Sequence, residues 1–198
     1  MSTPTATATA TAPVRTVDGT EVPLAGTYSL DASHSEVGFS VRHVMVSKTK
    51  GRFADIEGSV VIADDPLASS VEVTIQAGSI DTRDEGRDGH LRSPDFLDVE
   101  AFPVLSYASR SVQPAGKGRW AVEGDLTVKG VTRSVPLKVT FEGGAKDPWG
   151  GERIGFTASA ELDREDFGLT WNQVLETGGV LVGKTVKIEI EAEAVRQA

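Results

Sequence analysis

Cysteine is absent from the 198 residues, which excludes a disulfide, a thiolate nucleophile and a cysteine metal site. Redox chemistry therefore says nothing about the compartment. Basic charge is also scarce: 20 Lys and Arg stand against 29 Asp and Glu, a net charge of −9. A nucleic-acid binder needs a basic footprint to release phosphate counterions, and no Lys/Arg cluster supplies one. The same acidity argues against broad adhesion to anionic lipid. No apolar run approaches the roughly 20 residues of a membrane-spanning helix. Aromatic residues make up only 6% of the chain, which leaves few large side chains to fill a core.

No targeting signal is expected at the N-terminus either. Met1-Ser2-Thr3-Pro4 is followed by alternating Thr and Ala from Thr5 to Ala12. No positive segment precedes a run of Leu, Val or Ile, so a secretory leader is not expected and a cytoplasmic address follows by default. With almost nothing to bury, residues 1–23 are expected to form a disordered tail. Residues 24–198 are expected to form a single domain, a size that supports its own core.

What is present is period-2 alternation, the mark of strands with one buried face. Val37, Phe39 and Val41 alternate with polar or small residues, as do Val71, Val73 and Ile75. Trp120, Val122, Gly124, Leu126 and Val128 form another such row, followed by Val135, Leu137, Val139 and Phe141. Ile154, Phe156, Ala158, Ala160 and Leu162 continue it, and Val186, Ile188, Ile190 and Ala192 give the cleanest row against Lys187, Glu189, Glu191 and Glu193. Turn residues separate the rows at Asp64-Asp65-Pro66, Pro114-Ala115-Gly116, Lys129-Gly130, Gly143-Gly144 and Gly150-Gly151. The short breaks at Gly130 and Gly143 predict hairpins.

With strands near Gly26–Asp31, Arg52–Ala63 and Val104–Val112, the count reaches eight or nine. Residues 82–98 and 166–180 break the rhythm and are expected to be short helices or structured loops. One-faced strands in such number leave edges exposed unless the sheet closes. An all-β, eight-stranded antiparallel barrel follows, its interior either filled or holding one ligand. The small inward residues Gly124, Ala158, Ala160 and Ala192 favour a cavity. The alternative is that they pack beneath the two irregular segments.

Four blocks in register resemble the YceI family of lipocalin-like proteins. The first is Asp31-Ala32-Ser33-His34-Ser35-Glu36-Val37-Gly38-Phe39-Ser40-Val41-Arg42-His43, with Gly51-Arg52-Phe53 after it. The second runs Ser79-Ile80-Asp81-Thr82, Arg87-Asp88-Gly89-His90-Leu91 and Ser93-Pro94-Asp95-Phe96-Leu97-Asp98, then Phe102-Pro103. The third is Gly124-Asp125-Leu126-Thr127-Val128-Lys129-Gly130-Val131-Thr132. The fourth is Gly155-Phe156-Thr157-Ala158, then Arg164-Glu165-Asp166-Phe167-Gly168.

The resemblance implies an extended lipocalin-like barrel, with one or two short helices in its connections, around a polyisoprenoid, isoprenoid quinone or fatty-acid derivative. Such proteins are usually exported and often pair as homodimers; this chain departs from the first pattern, and no residue feature fixes the second. The candidate ligand-contacting residues are Phe39, Val41, Arg42, His43, Phe53, His90, Leu91, Phe96, Tyr107, Leu126, Phe156, Ala158 and Trp171. No cofactor, catalytic residue, metal site or nucleic-acid partner is expected.

Several residues carry competing readings. His43 shares the inward parity of its strand and either meets a ligand head group at the rim or bonds a backbone carbonyl. Arg42 has outward parity and meets a ligand only if it sits at a rim. His34 is placed to cap a turn with Ser33 or Asp31. Asp84, Asp88 and His90 have metal-ligand chemistry, but Asp88 and His90 do not share a helical face, so a solvated loop is the alternative.

The resemblance places His90 at the cavity mouth. Trp171 closes a tunnel or plugs the core. Gly178 to Thr185 matches the phosphate-loop pattern, but Val186–Glu193 alternates as a strand where that mechanism needs a helix. Three functions remain: a non-catalytic lipid carrier, an enzyme acting on lipid through His43 or His90 with a carboxylate, and a partner-binding scaffold with a filled barrel.

Overall fold

The computed structural model describes residues 12–198 apart from Met45 and Thr177. The chain forms β1 (Val14–Val17), β2 (Thr20–Pro23), β3 (Gly26–Leu30), β4 (Glu36–His43), β5 (Ser47–Phe53), β6 (Ile56–Ile62), β7 (Ser70–Gln76), β8 (Ile80–Asp81), α1 (Glu85–Arg92), β9 (Val104–Pro114), β10 (Arg119–Val128), β11 (Val131–Lys146), β12 (Glu152–Asp163) and β13 (Val182–Arg196).

Strands β3 and β4 pair in turn along β13 and are joined through a 3-10 turn at Ala32–His34. They act as one bent stave. β5 with β6, and β7 with β8, bend in the same way, since β6 pairs β3 while β5 pairs β4, and β7 pairs β6 while β8 pairs β5. The meander continues through β9 to β12, and β12 pairs β13, which closes an eight-stranded antiparallel barrel. Among the described residues, the β4–β5–β8 arm ends at β8, while the ring through β3, β6, β7 and β9 to β13 has both edges paired.

The inward rows are the apolar rows of the sequence. Two buried clusters bracket the interior. Ile75, Leu97, Leu105, Tyr107 and Phe167 belong to one, packed with Leu91 and Leu169. Tyr28, Ile62, Phe141, Ile154 and Ala194 form the other, packed with Val14.

The expected tail needs correction. Its residues 1–11 lie outside the described residues, but β1 and β2 form an antiparallel hairpin with Val14 opposite Pro23 and Val17 opposite Thr20. Val22 is 1% exposed and Pro13 is fully buried. Arg15 donates from Nη2 to the Ala63 carbonyl at 2.6 Å and from Nε to the Pro23 carbonyl at 3.2 Å. The hairpin has little to bury by itself; its Val and Pro gain a partner only on the barrel, a tertiary gain that local composition does not register.

The Gly143-Gly144 turn also needs correction. β11 runs through it to Lys146, and Gly143 takes φ 127° where the register against β12 shifts after Phe141. Gly accepts that dihedral in a bulge as readily as in a turn. The chain reverses at 147–151 instead, where Asp147 accepts from the Trp149 and Gly151 amides at 3.0 and 2.8 Å. The Lys129–Gly130 hairpin between β10 and β11 forms as expected.

Of the irregular segments, 82–98 supplies α1. Asp84 caps it by accepting from the Arg87 amide at 3.0 Å, and Glu85, Asp88, His90 and Arg92 complement its dipole. Arg92 ties the helix to the β7–β8 corner through the Gly78 and Ile80 carbonyls at 2.9 and 2.8 Å. The 166–180 segment begins in a 3-10 turn at Arg164–Phe167, and its described residues are otherwise irregular, with a bridge between Val174 and Val180. The phosphate-loop lookalike ends inside β13, so no helix follows it.

Candidate functional site, an apolar cavity inside the barrel

The barrel interior holds a cavity of about 350 Å³, within the 300–1,000 Å³ typical of small-molecule sites. Every complete inward row contributes to it: Val37, Phe39 and Val41 from β4, Val71, Val73 and Ile75 from β7, Ala158 and Ala160 from β12, and Ile188, Ile190 and Ala192 from β13. Val22 and Pro23 reach it from the N-terminal hairpin, Leu91, Phe96 and Leu97 from α1 and the chain after it.

Of the sequence candidates, Phe39, Val41, Phe53, Leu91, Phe96, Tyr107, Leu126, Phe156 and Ala158 line this cavity. Arg42, His43, His90 and Trp171 do not. Arg42 is exposed on the outer face, with Gly183 against its backbone. His43 ends β4 opposite Val182 and Ser47 and is not among the residues that line the cavity.

His90 and Trp171 pack edge to face with ring centroids 4.6 Å apart, and both abut Phe96 at 5.0 and 5.3 Å. These rings form a cover outside the lining, with Phe96 as its inner face. Trp171 thus packs behind Phe96 rather than in the lining. His90 also has a carboxylate neighbour, Asp95 Oδ2 at 3.0 Å.

Asp84, Asp88 and His90 are engaged separately. Asp84 caps α1, and buried Asp88 accepts from the Thr82 amide at 2.9 Å and its hydroxyl at 2.6 Å. His34 meets Asp31 at 3.0 Å while Asp31 caps the Ser33 amide at 3.0 Å, the turn-capping role read from sequence. Glu193 lies beside this pair, and Arg153 bridges Asp31 and Glu193 as well as Asp147. The Ser33 hydroxyl and Arg153 hold the Asp31 carboxyl well below its usual range.

Small inward residues do not all make room for a ligand. A Cβ on Gly124 would lie 2.4 Å from Tyr107 Cζ, so that space belongs to the tyrosine ring. The Tyr107 hydroxyl donates to the Val122 and Val135 carbonyls at 3.1 and 3.2 Å, and burial pushes its pKa up to about 12. Its polar tip is thereby committed to the wall. Ala158, Ala160 and Ala192 do face the cavity.

Sequence reasoning missed Arg164, which is 3% exposed and lines the cavity. Between Asp163 and Glu165 it looks like part of a solvated charge run. No periodicity marks it, because the 3-10 turn rather than a strand sets its direction. Burial draws its pKa down.

A closed eight-stranded antiparallel barrel with an apolar interior and covered ends defines a lipocalin-like architecture. The YceI-like domain family matches residues 28–194, and the chain belongs to that family. A UPF0312 protein of Staphylococcus aureus is 37% identical over 171 residues, covering 84% of this chain and 95% of the relative. Among solved structures, the Campylobacter jejuni YceI protein superposes with a TM-score of 0.67 at 28% identity, covering 85% of this chain and 97% of its own. Burkholderia cenocepacia BcnA gives 0.73 at 22% identity, with 83% and 98% covered. A polyisoprenoid-binding domain from Saccharophagus degradans gives 0.66 at 16% identity, with 86% and 98% covered. The last two share the fold.

Proposed function

We propose that this protein binds a long-chain apolar molecule inside the barrel and stores or carries it without altering it. The observation that carries this reading is the continuous aliphatic and aromatic lining of the barrel cavity. Each buried methylene contributes about 0.8 kcal/mol, so ten give roughly 8 kcal/mol before ordering costs of several kcal/mol. Apolar burial alone therefore supplies useful affinity. The Saccharophagus degradans neighbour is described as polyisoprenoid-binding, which agrees with a polyisoprenoid, isoprenoid quinone or fatty-acid derivative here. No cofactor or metal takes part in this reading.

A catalytic role would need a proton-transfer group at the bound chain. The carboxylate that His90 meets, Asp95, sits with it in the cover, the two side chains 53% and 38% exposed respectively. His43 is outside the lining too. Binding without chemistry fits this placement better.

The test is native mass spectrometry of protein purified gently from its own host, followed by solvent extraction. A stoichiometric, chemically intact long-chain lipid is expected. An empty barrel that also takes up no added prenol, quinone or fatty acid would overturn the proposal and favour a scaffold.

A further inference from the structure

The β4–β5 turn and the 168–181 loop meet at one end of the barrel, where His43 ends β4 opposite Val182 at the start of β13. Both carry apolar side chains where turns are ordinarily polar. Val46 is 83% exposed and Val174 is 80% exposed. Backbone hydrogen bonds stitch the two segments together. The Val44 amide donates to the Leu181 carbonyl at 2.9 Å, the Leu181 amide donates to the Gln173 carbonyl at 2.9 Å, and Val174 bridges Val180. Val44 takes φ 44°, a left-handed conformation that a β-branched residue adopts only at a cost. Two valines are thus presented to solvent from one tied platform.

Behind the Val46 turn, the outer face of the β4–β5 hairpin is basic, in a protein of net charge −9. Arg42, Lys48 and Lys50 are exposed, and Arg42 stands directly opposite Lys48 in the ladder. Like charges so placed repel. Among the described residues, none of the three has a carboxylate within ion-pair distance. Of the acidic side chains on adjoining elements, Glu36 pairs with Arg52, Glu161 with Lys187 and Glu165 with Lys184. Glu189 stands opposite Gly38, further from the turn.

We propose that this end of the barrel docks on a bilayer containing anionic phospholipid. Val46 and Val174 enter the boundary between head groups and acyl chains, and Arg42, Lys48 and Lys50 meet the lipid phosphates. The partner must be apolar at the tips and anionic just behind them, and a bilayer surface has those two layers in that order. Docking is shallow, so that Glu176, exposed in the same loop, stays in water. The acidity of the remaining surface gives orientation: the same lipid repels it, so only this end approaches. What the docking serves rests on the carrier reading above. Val41, Leu169 and Val182, next to the two segments in the chain, line the cavity, so a docked barrel sets that end of the cavity against a source of apolar chains.

The test is sedimentation of the full chain with vesicles of phosphatidylcholine alone and of phosphatidylcholine with an equal share of phosphatidylglycerol. Binding to the mixed vesicles is expected, weakening as salt is added, with far less on phosphatidylcholine alone. Lys48→Gln and Lys50→Gln should each lower partitioning about fivefold. Val46→Ser combined with Val174→Ser should lower it about tenfold or more. Trp149→Ser should leave it unchanged, because that exposed ring lies on the 147–151 turn, beside the opposite end of β13.

No sedimentation with the mixed vesicles, or equal sedimentation of wild type and the Lys and Val variants, would overturn the docking. So would a dimer in analytical ultracentrifugation that the paired Val→Ser changes convert to monomer, since a second copy would then cover the tips. If a variant does not fold, judged by far-UV circular dichroism, the wild-type comparison of the two vesicles decides alone. Uptake of a fatty-acyl probe without vesicles separates the two readings: uptake with no vesicle binding refutes the docking alone, and vesicle binding with no uptake refutes the carrier alone.

Discussion

Filling the cavity from its wall is the most direct perturbation. Ala158 lies on β12 between Val139 of β11 and Ile190 of β13, and all three line the interior. In Ala158→Phe the added ring enters space a ligand would use. It displaces roughly three methylenes of bound chain at about 0.8 kcal/mol each. Affinity for a long-chain probe should therefore drop by about 2.4 kcal/mol, roughly fifty-fold. Overpacking a filled core costs about 1–3 kcal/mol; because the ring meets a void here, the cost should lie at the low end and the barrel should remain folded. The assay is fluorescence titration with a fatty-acyl probe, with thermal unfolding as the control. A folded variant with unchanged affinity would refute an interior site and the packing argument behind it.

Other perturbations test the frame. Removing residues 1–23 leaves all eight staves but uncovers the end packed by Val22 and Pro23, so bound probe should dissociate faster in stopped-flow measurements; an unchanged rate would mean the hairpin is no barrier. Gly124→Ala places a Cβ 2.4 Å from Tyr107 Cζ and 2.7 Å from the Ala108 carbonyl oxygen, and the backbone yields poorly. It should cost about 1–3 kcal/mol, seen as a Tm lower by several degrees; an unshifted Tm would show that Tyr107 moves freely.

Acid should also unfold the protein in a defined way. Asp31 and Glu152 have folded-state pKa values below their ordinary 3.8 and 4.5, held by the Ser33 hydroxyl and Arg153 in the first case and by Arg196 in the second. Depressed carboxyl values mean that the unfolded chain binds protons first. Their stabilisation is complete above the ordinary values and drains as pH falls through and below them. Tm should thus decline below about pH 5, and less steeply in Asp31→Asn; parallel declines in both proteins would remove Asp31 from the account.

Legibility in the sequence followed physical scale. The rows Val37–Val41, Val71–Ile75 and Val186–Ala192 announced inward faces because one side of each strand had to leave water, a local constraint written with period 2. Nine of the proposed contacts line the cavity; seven of them, Phe39, Leu126 and Ala158 among them, lie on strands, whereas Leu91 and Phe96 come from α1 and the chain after it. His43 shares the parity of its row but stands at the end of β4 and is not part of the lining, since parity sets a face and not how far along the strand a cavity extends. At Gly143 a residue read as a turn proved to be a bulge, two roles that share one backbone requirement.

The sequence by itself determined the strand faces, the antiparallel meander and an interior made of aliphatic residues, since each depends on neighbours within a few positions. Tertiary structure alone decided what covers the ends and what interrupts the apolar wall. The N-terminal hairpin packs Val22 and Pro23 over one end of the barrel, the His90–Phe96–Trp171 cover joins segments far apart in the chain, and Tyr107 rather than a ligand occupies the room beside Gly124. Arg164 is the sharpest instance. A charged side chain between two acidic residues belongs in water by every local rule, and only the 3-10 turn and the carbonyls of Leu169 and Gly183 carry it into the wall of the cavity.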